Sequence, residues 1–404
     1  MSDTSIGPAT EPPPVSTGYF EDGRMRAIGT RPPGTIARSG YLTPQAEFGD
    51  VERGNPLPYT LPLEVRRQVG LERETWRLEV VTDPASDSVI ERPMSKELGT
   101  ALDFDGLMKL ADTRAVRYLK GVTCNNIGEP LGMGLWEGVP LRVAIWMAGP
   151  VENIRRVYYY GYHSDDPAQV FQSSLPIGRV LEDPPGELPV LLCYKLNGEF
   201  LSGKRGGPVR MVVPEAYGFK SVKWLQRVVL TNDWKANDTY ALGNNDLESP
   251  MKTFARFVQA PSTISAGQPI TMTGLAQAGV SGLMKVQCWL HPADAALPAD
   301  DPHFARGNWR DGTILPPPEH WGGGLPDGQA PDAPLQFDPA SGAPRAWPLR
   351  YTVVHWSAVL PGVPAGVYVL RCRTVDLNGT AQPMPRPFAK SGRAEIEQVQ
   401  VTVE

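Results

Sequence analysis

The chain has 404 residues, 41% of them hydrophobic, with ten tryptophans and a formal net charge of −5. That length suggests about two or three domains around a sizeable core, and the small negative charge gives no reason to propose nucleic acid as a partner. The 41 glycines and 42 prolines stay below a low-complexity level and indicate many turns and little long helix.

The N-terminus, Met1-Ser2-Asp3-Thr4, shows neither a basic-then-apolar signal pattern nor a twin-arginine export signal. The expected compartment is therefore the cytoplasm, with the periplasm as the alternative if a signal is missing or export occurs with a partner. Residues 1–40 are rich in Pro, Gly, Ser and Thr and offer few apolar groups to bury, so they read as a flexible arm. Residues 41–248 read as mixed α and β. Residues 74–81 alternate as a strand, and Asp103 is placed to cap a helix running through residue 111. Residues 115–122, 156–162, 189–195 and 222–230 are β-rich, and Asn197-Gly198 between two apolar runs predicts a hairpin. The stretch after Cys124, with its repeated glycines, reads as a loop. The absence of strict βαβ alternation argues for an α+β class.

Residues 249–404 read as all-β, with strands expected at 271–276, 283–290, 349–356, 367–375 and 396–403, as in an immunoglobulin-like sandwich. A Pro/Gly-rich insertion at about 292–347 interrupts them. Loops of that length are often functional or disordered, and covering a partner's active site is one role for it. No apolar run reaches membrane-spanning length, so no membrane span is expected.

The cysteines are Cys124, Cys193, Cys288 and Cys372, too far apart for a Cys-x-x-Cys motif. The last three lie in apolar strand-like runs, where a buried free thiol is usual. His163, His291, His303, His320 and His355 show no i, i+4 pair, which argues against zinc. Cys124 stands apart. It ends an apolar run and is followed by two amides, Asn125 and Asn126. Two cation-rich runs come later, Lys204-Arg205-Gly206-Gly207-Pro208-Val209-Arg210 and Tyr217-Gly218-Phe219-Lys220-Ser221-Val222-Lys223-Trp224. One thiolate with guanidinium and ammonium donors suits an anionic metal cofactor.

These runs, in this order, resemble the sulfite oxidase family of molybdopterin-dependent oxidoreductases. The resemblance rests also on Trp136-Glu137-Gly138-Val139-Pro140-Leu141, Tyr194-Lys195-Leu196-Asn197-Gly198, Gly206 through Pro214, and Val222-Lys223-Trp224-Leu225. It implies a molybdenum–molybdopterin cofactor with Cys124 as the metal ligand. It implies that Arg205, Arg210 and Ser221-Val222-Lys223 bind the pterin and phosphate, with Gly161 and His163 near the pterin. Phe48 and Gly49 fall where a first cofactor-contacting loop belongs, although residues 43–50 match that loop poorly. Asn125, Asn126 and Phe171 would shape the catalytic pocket beside Cys124. The C-terminal domain would pair two copies into a homodimer. Cys288 and Cys372 align with an immunoglobulin bridging pair, but without a secretion signal free thiols are favoured.

Two departures from the family bear on substrate. Relatives carry an arginine shortly after the metal cysteine, where Asn125-Asn126-Ile127-Gly128 offers no cation, and Phe171 replaces an active-site tyrosine. Sulfite would miss a charge-assisted bond and a phenol donor. Residues 207–210 and 217–220 also resemble the catalytic subunit of bacterial methionine-sulfoxide reductase. The expected function is oxygen-atom transfer on a small sulfur-containing substrate, in the manner of a sulfite dehydrogenase. The alternatives are sulfoxide reduction on the same fold, or an interaction protein that has lost its cofactor. No Cys-x-x-Cys-His haem motif or flavin fingerprint occurs. Electrons are therefore expected to pass to or from a separate carrier, a cytochrome being one candidate.

Overall fold

The computed structural model describes residues 41–51, 54–125, 130–166, 170–239, 241, 245–325, 330–383, 390–393 and 395–404. The arm at 1–40 and Asn126 lie outside the described residues. Short helices serve as connections: α1 (Leu63–Gln68), α2 (Phe104–Arg114), α3 (Leu141–Ala148) and α4 (Ile177–Leu181). Asp103 starts α2 as expected, its carboxylate accepting from the Gly106 N–H at 2.8 Å.

Two sheets build the N-terminal half. One runs β3 (Leu102–Asp103), β1 (Arg77–Thr82), β12 (Leu225–Thr231), β7 (Arg156–Gly161) and β8 (Phe171–Pro176), with β1 and β12 parallel. The other runs β10 (Glu199–Phe200), β9 (Leu191–Leu196), β5 (Pro130–Pro140) and β4 (Val116–Thr123), with β11 (Arg210–Val212) also on β9. A small ribbon joins β2 (Val89–Ile90) to β6 (Pro150–Glu152). Asn197 and Gly198, at φ 54° and 83°, turn β9 into β10 as the Asn-Gly pair predicted.

The expected glycine-rich loop after Cys124 is instead mostly β5, the longest strand of this sheet. Its glycines are there for close packing. A Cβ on Gly132 would meet the Phe48 ring at 2.5 Å, and one on Gly138 would meet the Leu192 carbonyl oxygen at 2.5 Å. Sequence reasoning also missed α3, which follows β5 directly. It buries Leu141, Ala144, Ile145 and Ala148 on one face and stops at Gly149, φ 65°.

The C-terminal half is a β-sandwich. One sheet runs β13 (Phe254–Gln259), β15 (Ile270–Gln277), β19 (Val353–Leu360) and β18 (Thr313–Ile314). Its partner runs β14 (Thr263–Ile264), β21 (Glu397–Val403), β20 (Gly366–Val375), β16 (Lys285–Pro292) and β17 (Arg310–Asp311). Phe257, Trp356, Leu370 and Val401 fill the space between them. Burying each such large side chain contributes about 1.5–3 kcal/mol. Strand β19 begins four residues later than expected, because Leu349 and Tyr351 are buried and Tyr351 turns the chain at φ 67°. Cys288 and Cys372 sit opposite each other on neighbouring strands of one sheet, so they cannot play the part of an inter-sheet bridging pair. Both are free thiols.

The described part of the insertion packs on its own chain. Trp321 and Phe337 join Tyr41, Leu119, Met133 and Leu275 in a third apolar cluster. Gln336 lies along the outer edge of β4: its amide accepts from the Leu119 N–H at 2.6 Å and donates to the Leu119 carbonyl at 3.0 Å. This side chain pairs the strand edge as a neighbouring strand would. Among the described residues no helix is long and apolar enough to cross a membrane.

Candidate active site

Several segments meet at one open cleft. Strand β4 delivers Val122 and then Cys124. The end of β7 delivers His163, the start of β8 delivers Phe171, and the loop before α1 delivers Phe48, Gly49 and Asp50. A further segment runs from Arg205 through β11 to Lys223. It contributes Arg205, Arg210, Gly218, Phe219, Ser221 and Lys223 to the lining. Residues 222–224 were expected to be strand. They instead fold as a turn against the cleft, with Trp224 at φ 53°, and β12 starts only at Leu225.

The cations are held by backbone carbonyls. Arg210 donates to the Arg205 carbonyl at 3.0 Å and to the Ser221 carbonyl at 2.7 Å, and lies over the Trp136 ring. Burial pushes its guanidinium down to about 10, and the charge of Arg205 adds to this. Arg205 donates through Nη1 to the Gly49 carbonyl at 3.0 Å, and burial likewise lowers its pKa. Lys223 donates to Asp50, and burial, with Arg210 nearby, pushes its ammonium down to about 8. Asp50 also stands 3.6 Å from Arg205. Three cations thus face one carboxylate in a largely buried cleft.

Arg205 Nε and Nη2 and Asp50 Oδ2 are buried and have no hydrogen-bond partner among the described residues. Buried donors are nearly always paired, so orphaned ones in a cation-rich cleft mark room for an acceptor-rich anion. No group of three or more His, Cys, Asp or Glu is placed to hold a metal among the described residues. A metal beside Cys124 would therefore take one thiolate from the protein and its other ligands from elsewhere. The residues fit a metal carried by an anionic organic cofactor.

Two backbone details shape the cleft. Gly206 sits at φ 91°, where a Cβ would come within 2.7 Å of the Lys223 side chain. Gly161 has no room for a Cβ beside the Lys223 carbonyl.

Of the residues singled out from the sequence, Phe48, Gly49, Cys124, His163, Phe171, Arg205, Arg210, Ser221 and Lys223 all line the cleft. His163 is 2% exposed, its Nδ1 hydrogen-bonded to the Gly161 carbonyl at 2.9 Å and its ring packed on Phe171 and Trp224. Gly161 and Val222 stand behind the lining. Val222 holds Met211 N–H through its carbonyl at 2.8 Å. Asn125 is outside the lining too; its amide donates to the Lys390 carbonyl at 3.0 Å. Sequence reasoning missed Asp50, Trp136 and Phe219. Trp136 lay inside a quoted motif, but nothing in that motif marked it as facing an arginine. Asp50 was the acid next to Phe48-Gly49, and its partners are more than 150 residues away.

Residues 68–239 match the family described as the oxidoreductase molybdopterin binding domain. Mitochondrial sulfite oxidase of Mus musculus is 28% identical over 230 residues, covering 53% of this chain and 38% of that protein. The Homo sapiens protein is 29% identical over 226 residues, with the same coverage of 53% and 38%. Nitrate reductase (NADPH) of Neurospora crassa is 26% identical over 229 residues, covering 52% of this chain and 22% of that one. The matched part thus spans 38% of the length of these sulfite oxidases. The sulfane dehydrogenase SoxCD of Paracoccus pantotrophus superposes with a TM-score of 0.56 at 18% identity, over 82% of this chain and 77% of that one. It shares the fold, a mixed α+β region followed by an immunoglobulin-like β-sandwich. Residues 68–239 thus carry an oxidoreductase molybdopterin binding domain, and the chain is similar to the sulfite oxidases over that region.

Proposed function

We propose that this chain is a molybdenum-cofactor enzyme that transfers an oxygen atom on a small sulfur-containing substrate and exchanges electrons with a separate redox carrier. The observation that carries the reading is the cleft in which Cys124 lies with Arg205, Arg210 and Lys223, two guanidinium nitrogens of Arg205 having no hydrogen-bond partner among the described residues. Cys124 would bind the metal as a thiolate. Arg205, Arg210, Lys223 and the Gly206 backbone would bind the anionic and pterin portions. His163 and Ser221 support the walls of the same cleft. When bound, the cofactor supplies two-electron oxygen-atom transfer. The protein's part is to fix the thiol, neutralise the cofactor's charge and keep the site dry behind Phe48, Trp136 and Phe171.

One observation favours a second reading, reduction of a neutral sulfoxide. Among the described residues, the lining that includes Cys124 also includes the apolar side chains of Val122, Phe171 and Phe219. Such side chains suit an uncharged substrate better than a dianion. Homodimer formation through the β-sandwich, a cytochrome as the carrier and a cytoplasmic location complete the proposal.

The test is the molybdenum content of protein made in a host that synthesises the cofactor. Near one atom per chain supports the reading, and assays with sulfite and with alkyl sulfoxides then choose the direction. Folded protein without molybdenum sinks the reading in favour of a binding role. Full activity in Cys124→Ser would remove the ligand assignment.

A further inference from the structure

Residues 390–392, which lie between β20 and β21 in the chain, reach the residue next to Cys124. Asn125 is 8% exposed. Its carboxamide oxygen stands 3.9 Å from Cys124 Sγ, and its nitrogen donates to the Lys390 carbonyl at 3.0 Å. The same carbonyl accepts from the Asp246 N–H at 3.0 Å, and Asn245 forms a parallel bridge with Lys390. Two residues on, Gly392 takes φ 93° and packs so closely that a Cβ there would overlap the Tyr217 ring, its Cζ lying at 2.6 Å. Tyr217 directly precedes Gly218 and Phe219, which line the cleft. Residues 390–392 therefore contact Asn125 and Tyr217, which are the chain neighbours of the lining residues Cys124 and Gly218.

We propose that Asn125 is a positioning residue behind the active site, transmitting the hold of the Lys390 carbonyl to the Cys124 thiol, with Gly392 fixing residues 390–392 against Tyr217. A thiol just past a strand end is not held by the strand's ladder. An amide engaged at both ends has one orientation left, and its oxygen then limits where the sulfur can sit. The S···O contact alone is weak, so the hold comes from the buried N–H···O bond to Lys390. The catalytic consequence rests on the reading of Cys124 as the metal ligand; the mechanical coupling does not.

The experiment measures alkylation of Cys124 by iodoacetamide in the folded full-length chain made without cofactor. Cys193, Cys288 and Cys372 are buried, and burial pushes Cys193 and Cys288 up to about 12, so the rate reports on Cys124. Asn125→Ala should raise the rate about fivefold, the factor expected for one lost hydrogen bond. Gly392→Ala, made in residues 390–392, should raise it in the same direction. Lys390→Ala keeps the carbonyl and should leave the rate unchanged. In the molybdenum-loaded chain, Asn125→Ala and Gly392→Ala should also shift the thiolate-to-molybdenum absorption band. Folded Asn125→Ala and Gly392→Ala with the parent's alkylation rate overturn the proposal, as does a Lys390→Ala rate matching that of Asn125→Ala. A chain that takes up no molybdenum would sink the enzymatic reading while leaving the alkylation result to decide the coupling.

Discussion

Two buried lysines away from the cleft contrast with one buried arginine inside it. The lysines are saturated. Lys120, fully buried in β4, donates to the carbonyls of Pro214 at 2.8 Å and Ala216 at 2.9 Å and to Met251 Sδ at 3.1 Å. Lys220, also fully buried, donates to the Ser174 carbonyl and to Asp238, both at 2.8 Å, and Asp238 is held in turn by Ser173 and Ser174. In the cleft, Arg205 is only 3% exposed yet leaves two of its nitrogens without a hydrogen-bond partner among the described residues, one of them 3.6 Å from Asp50. The lysines are finished by the fold. The arginine is finished only by something the fold does not supply, and that difference separates structural charge from functional charge here.

The comparison can be broken most severely at Lys220. Lys220→Met leaves Asp238 buried without its cation and should cost about 3–5 kcal/mol of unfolding free energy in urea titration. A loss below about 1 kcal/mol would mean that the saturated pair is not holding the two segments together. The next largest effect concerns the titration of Lys223. With its ammonium held down to about 8, it is charged below that pH and neutral above it. Sulfate, whose own charge is constant in this range, should bind the cofactor-free cleft about tenfold more weakly once the pH has risen through about 8, as expected for one charge-assisted bond lost. Lys223→Arg should flatten that profile, and a wild-type profile flat from pH 7 to 9 would remove Lys223 from the anion site. The smallest stability effect is expected at Arg205. Arg205→Met removes a desolvated charge with few bonds, so the unfolding free energy should change by less than about 1 kcal/mol. Its molybdenum content should nevertheless fall clearly below that of the parent. A large stability loss with full molybdenum content would place Arg205 with the structural cations.

Local chemistry in the sequence announced much of this architecture. The Asp103 cap, the Asn197-Gly198 turn and the alternating strands of the sandwich are written in neighbouring residues, and each formed within a few positions of expectation. The cysteine and the Gly-Pro-Val-Arg and Val-Lys-Trp runs were legible because motif and cleft coincide there. What failed to show was whatever depends on distant partners. The glycines of β5 look like loop residues until Phe48, Leu192 and Leu196 are packed against them. Asp50 looks like a surface acid until the loop returns to Lys223 and Arg205. Asn125 looked like a wall of the pocket, and its amide turned out to be engaged by a carbonyl 265 residues further along. Residues 222–224 carry strand composition, yet they turn away from the ladder because they serve the cleft.

The amide of Gln336 on the edge of β4 has a consequence in time. Leu119, the residue it pairs, lies 217 positions earlier in the chain. At about 5–20 residues per second, a ribosome delivers Gln336 roughly 10–40 s after β4 has emerged. Through that interval the strand leading to Cys124 has an open edge able to accept any passing strand. The strand that leads to Cys124 is thus made well before the side chain that closes its edge.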